Sequence, residues 1–119
     1  MKLALFARLE AKPGKEQEVA DFLRQGLALA NQEATTLMWF ALRLGPTTFA
    51  VFDAFGDEAG RQRHLNGPIA PALMAQAPTL FAAPPAIEPL EVLGAKLPAS
   101  PRRDDEIVWR RSRAPIPER

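Results

Sequence analysis

"TLMWFALRLGPTTFAVFDAF", residues 36–55, decides the fold. Two aromatic-rich apolar runs, 36–44 and 49–55, flank the turn-forming "GPTT", so they are expected to pair as antiparallel neighbours. Neither run alternates polar with apolar. Leu37, Trp39 and Ala41 oppose Met38, Phe40 and Leu42, while Phe49 and Val51 oppose Ala50, Phe52 and Ala54. Strands that are apolar on both faces must be covered on both.

Working outward, "KLALFARLE" (2–10) reads as a strand with Leu3, Leu5, Ala7 and Leu9 on one face. Residues 14–30 place Val19, Phe22, Leu23, Leu27 and Ala30 at helical spacing, and Asn31 reads as the helix cap. Asp57 suits the N-cap of a short helix running to about Leu65, where Asn66–Gly67 stops it. Pro68 opens a second helical segment to about Ala77, with Pro78 closing it. "IEPLEVLGAKL" (87–97) reads as the last strand, its Pro89 implying an edge or a bulge.

The order is β-α-β-β-α-β, an α+β chain of the ferredoxin-like kind with a four-stranded antiparallel sheet. Right-handed crossovers put the helices on one face of that sheet. The second apolar face then needs another cover, and a second copy related by a two-fold axis is the simplest one. A homodimer with two sheets face to face is the expectation. Residues 2–97 make the domain; 98–119, with four prolines, six arginines and four acids, form a C-terminal extension. Two alternatives stand for it: a flexible tail, or an arm docking Ile107–Trp109 on the partner.

The 119 residues suit one soluble domain, 47% apolar and 24% charged. Fifteen basic against fourteen acidic residues give no push toward nucleic acid or an anionic membrane. Within 1–97 the balance is nine basic to ten acidic. The N-terminal apolar run is too short for a secretory signal and is interrupted by Arg8, and no stretch approaches a membrane span of ~20 residues. With no cysteine, a cytoplasmic location is expected. One histidine makes no metal site, and no glycine-rich phosphate loop or dinucleotide fingerprint occurs, so no cofactor or metal is expected.

The chain resembles the antibiotic biosynthesis monooxygenase family over roughly residues 2–97, in "KPGKEQEVADFL", in "LMWFALRLGPTTFAVFDAF" and above all in "DEAGRQRHLNGPIAPAL". The resemblance implies a dimeric α+β barrel with a small apolar pocket between sheet and helices. It implies oxidation of a small phenolic, quinol or anthrone-like aromatic with O2 and no cofactor. The haem-degrading branch is not expected, because its Asn, Trp and His positions are Ala7, His64 and Met74 here. The alternative is a non-catalytic dimer of the same fold that binds a small molecule or serves in stress.

Such an oxygenase must take a proton from its substrate and stabilise the anion in a dry pocket. His64, the only histidine, is the natural base; alternatively it caps a helix end and points to water. Asp53 is a lone carboxylate in an apolar strand, so it sits at a cleft or pairs with Arg43, Arg8 or His64. Trp39 has a ring N–H able to donate to a phenolic oxygen, or is core. Arg43 is the candidate for steadying an oxyanion, and Phe6, Phe40, Phe52, Leu73 and Met74 are candidates for lining an aromatic pocket; strand-end solvation and core packing explain them as well. An open pocket with His64 and Asp53 or Trp39 converging favours the enzyme. A sealed core with His64 in solvent favours the binding protein.

Overall fold

The computed structural model describes residues 1–98. The elements run β1 (Leu3–Glu10), α1 (Glu16–Ala30), β2 (Thr36–Arg43), β3 (Thr48–Phe55), α2 (Glu58–Leu65), α3 (Ile69–Leu80) and β4 (Ala86–Glu91). They form one four-stranded antiparallel sheet in the order β2-β3-β1-β4, the ferredoxin-like α+β arrangement. The suggested extension from residue 98 lies, but for its first residue, outside the described residues.

The pleat sorts the strands. Leu5, Ala7 and Leu9 of β1 pair with Asp53, Val51 and Phe49 of β3, and all six are buried. Ala7, Leu9, Val51 and Phe49 pack with Val19 and Leu23 of α1 and with Leu73 and Leu80 of α3 in one core. Full burial of a side chain such as Leu9 or Val19 contributes roughly 1.5–3 kcal/mol. The opposite face carries a row across three strands, Phe6 beside Phe52 beside Phe40, with the rings of Phe40 and Phe52 stacked at 6.3 Å. Phe40 and Leu42 are 44% and 40% exposed there. The register of β2 shifts between Thr36 and Met38, leaving Leu37 unpaired and half exposed. That bulge puts Trp39, opposite Asp53, on the helix side.

Three helix ends follow their sequence signals. The Asp57 side chain accepts from Gly60 N at 2.9 Å, capping α2, and Asn66 closes it. Asn31 likewise caps α1. Helix α3 departs from expectation by running through Pro78 to Leu80. A proline so near the end costs only one helical bond, and the buried Leu80, whose carbonyl accepts from Lys12 N at 2.8 Å, holds the last turn on the core. Strand β4 starts at Ala86 and ends at Glu91, short of the expected 97. Its ladder stops where β1 does: Glu91 pairs with Leu3, and beyond it Val92 N donates to Lys2 O at 2.8 Å. Pro89 is tolerated because β4 is an edge strand.

Candidate functional site

Helix α2 brings the only histidine to the sheet. Arg61 fastens the helix, bonding Glu58 at 2.5 Å and donating to the carbonyls of Ala4 and Leu90, each at 3.4 Å. One turn on, His64 is 6% exposed, its ring 5.3 Å from that of Phe55. Both ring nitrogens meet carboxylates: Nε2 lies 2.9 Å from Asp53 Oδ2 and Nδ1 lies 2.7 Å from Glu33 Oε1. Glu33 follows α1, and its Oε1 also accepts from Thr36 Oγ1 at 2.8 Å. His64 is therefore no solvated helix-end residue.

Two carboxylates facing one imidazole call for two N–H donors, which only the imidazolium supplies. Burial is the largest single influence on His64 and lowers its proton affinity. The hydrogen bonds and negative charges of Asp53 and Glu33 together reverse that, and the net pKa is raised above 6.5. The raised pKa favours the imidazolium, whose two N–H groups would both be taken by Asp53 and Glu33.

Between the sheet and helices α1 and α3 lies a cavity of about 250 Å3. Its wall is mostly apolar, with Leu5, Val51, Leu73 and Ile87 among its aliphatic members, and Asp53 and His64 are its only ionisable residues. Trp39 also lines it, the indole lying so close to α1 that a Cβ on Gly26 would stand 3.2 Å from Trp39 Cζ2. Two of these residues each have a buried polar atom without a protein partner: Trp39 Nε1, a donor, and Asp53 Oδ1, an acceptor. Their residues are direct neighbours across β2 and β3. Groups buried in this way ordinarily find a hydrogen-bond partner. Among the described residues no cluster of three or more His, Asp or Glu side chains is arranged to hold a metal ion.

Of the residues singled out in the sequence, the structure brings His64, Asp53, Trp39 and Leu73 together on the cavity. It corrects the others. Phe6, Phe40 and Phe52 lie across the sheet, because pleating sends them opposite to Asp53 and Val51. Arg43 is at the far end of β2, bonding the Gly45 and Pro46 carbonyls at 3.3 and 3.2 Å, with its guanidinium 4.8 Å above Phe49. Met74, next to Leu73, points off the core and is 51% exposed. Glu33 escaped notice in the sequence. Its partner is 31 residues away, and a single carboxylate after a helix resembles any other surface acid.

No family model matches the chain, and neither does any curated protein. Among solved structures, the NE2512 protein of unknown function from Nitrosomonas europaea is 67% identical, covers 83% of this chain and 96% of its own, and superposes with a TM-score of 0.80. The chain belongs to the NE2512 family. Two provisionally named antibiotic biosynthesis monooxygenases show the same fold. One, from Nitrosomonas europaea, is 14% identical over 77% of this chain and 99% of its own, with a TM-score of 0.69. The other, from Deinococcus radiodurans, is 16% identical over 82% and 99%, also at 0.69. The NE2512 family thus has the fold of the antibiotic biosynthesis monooxygenase-like proteins, as the sequence resemblance implied. Among the described residues no helix is long and apolar enough to cross a membrane.

Proposed function

We propose that this member of the NE2512 family is a cofactor-independent monooxygenase that oxidises a small phenolic, quinol or anthrone-like aromatic with O2. The observation that carries this reading is Asp53, a carboxylate lining an apolar cavity and keeping one buried oxygen, Oδ1, without a protein partner. A phenolic hydroxyl there donates to Asp53 Oδ1 and accepts from Trp39 Nε1, and Leu73 and its apolar neighbours hold the ring. Asp53 is the base. His64 does not take the proton; it orients Asp53 through Nε2–H. The substrate anion then reduces O2 itself, one oxygen atom entering the product and the other leaving as water. The dry wall strengthens each of these interactions.

The working unit is residues 2–97, and its partner is a second copy. The row Phe6–Phe52–Phe40, with Leu42 beside it, is apolar and part-exposed, which supports a dimer joined sheet to sheet. A cysteine-free chain suits the cytoplasm. A second reading, ligand binding without turnover, is favoured by one observation: both imidazole nitrogens are already taken by carboxylates.

Oxygen uptake by chelator-treated protein with a panel of hydroquinones and anthrones separates the two. Uptake above the buffer rate that is lost in Asp53→Asn supports the oxygenase. Saturable binding of those compounds without uptake supports the binding protein.

A further inference from the structure

The Asp53–His64–Glu33 chain crosses the wall of the cavity. Asp53 lies on the inner side, and His64 borders both the cavity and an outer hollow of about 280 Å3. Glu33 lies on the outer side with Thr35, Arg63 and Gly67. Each end of the chain has one buried carboxylate oxygen without a partner, Asp53 Oδ1 and Glu33 Oε2. Glu33 is also closely cradled. Thr36 Oγ1 donates to its Oε1, and residue 67 comes so near that a Cβ there would sit 3.0 Å from its Oε2. Glycine at 67 leaves the carboxylate its place.

We propose that Glu33 is a positioning residue for the cavity, holding His64 as a doubly donating imidazolium whose Nε2–H fixes the Asp53 carboxylate in the cavity wall. The reason is electrostatic. An imidazole paired with Asp53 alone shares a single proton, which either partner can hold. A second carboxylate on Nδ1 favours the doubly protonated ring, which then donates to both side chains. The charged groups facing His64 are Asp53 from β3 and Glu33 from the segment after α1; Arg63, on its own helix, borders the outer hollow. The functional meaning of this arrangement rests on the reading of Asp53 as the base. The arrangement itself does not.

One histidine makes the test direct, because the full-length chain gives a single set of imidazole nitrogen signals. Heteronuclear NMR across a pH series reads whether one or both ring nitrogens carry a proton. In the wild type both are expected to be protonated at pH 7.5, and in Glu33→Gln the ring is expected to lose its proton at a lower pH than in the wild type. A neutral tautomer in the wild type at pH 7.5 overturns the proposal, and this arm needs no variant to fold. A Glu33→Gln midpoint equal to the wild-type one overturns it as well. Oxygen uptake is not part of this readout, so a protein that turns over nothing yet holds a doubly protonated His64 defeats the oxygenase and leaves the role of Glu33 standing.

Discussion

His64 Nε2 stands 2.9 Å from Asp53 Oδ2, both side chains buried, at the edge of a cavity whose wall contains no other ionisable residue. In the proposed reaction the pairing divides the work between them: His64 orients, and the remaining oxygen of Asp53 meets the ligand. Asp53→Asn is the sharpest probe. The amide oxygen still accepts from Nε2–H, so the fold is retained, while the base is lost. Oxygen uptake is expected to fall by about 10²–10⁴-fold.

Trp39→Phe keeps an aromatic ring against Gly26 and removes the partnerless N–H. A neutral hydrogen bond contributes about 0.5–1.5 kcal/mol, so a phenolic ligand should bind roughly 2–10-fold more weakly. An analogue without the hydroxyl should bind the two proteins alike. Equilibrium titration of both compounds makes the comparison.

Gly26→Ala sets two effects against each other. Alanine favours the helix by about 0.8–1.0 kcal/mol. Its Cβ would also stand 3.2 Å from the Trp39 indole, which must shift into the cavity. The urea midpoint should change little, and affinity for phenolic ligands should fall. Unchanged affinity would show that the indole yields in another direction.

Stability should vary with pH in a defined sense. The pKa of His64 is raised in the fold, where burial lowers it but Asp53 and Glu33 raise it more. The native state therefore holds this proton more tightly than the unfolded chain does. The resulting stability is complete below pH 6.5 and is lost as pH rises through the higher folded value. Thermal unfolding midpoints should decline over that window, and less so in Glu33→Gln. On the acid side, Glu10, held low by the Thr47 and Thr48 hydroxyls, and Glu58, held low by Gln62 and Arg61, act in the opposite sense. Their contribution is present above pH 4.5 and is lost as pH falls below it. Both are solvent-exposed, so that limb should be shallow.

Phe52→Glu tests the open sheet face. A charge in the centre of the Phe6–Phe52–Phe40 row should turn a dimer into a monomer in sedimentation. The His64 imidazole signals should stay as they are, because Phe52 and His64 lie on opposite sides of the sheet.

The sequence by itself determined the element order and most element ends, because those rest on neighbours in the chain. Asp57 caps the helix that begins next to it, and the two aromatic runs are joined by a turn. It also drew attention to His64 and Asp53, each the lone member of its kind in its surroundings. It did not determine which face of the aromatic strands meets the helices. With both faces apolar, β2 and β3 carry no local signal for the helix side, and the bulge at Leu37 sets the phase of β2; Phe40 and Phe52 lie on the far side of the sheet, as does Phe6 of the regularly paired β1. Arg43 shares the Trp39 face yet lies beyond the cavity, a matter of distance along the strand that alternation does not encode. Only the tertiary structure decided that Glu33 and Asp53 hold the two nitrogens of one ring. Hydrogen bonds between residues 31 and 11 positions apart arise when separate elements pack, and no periodicity in the chain records them.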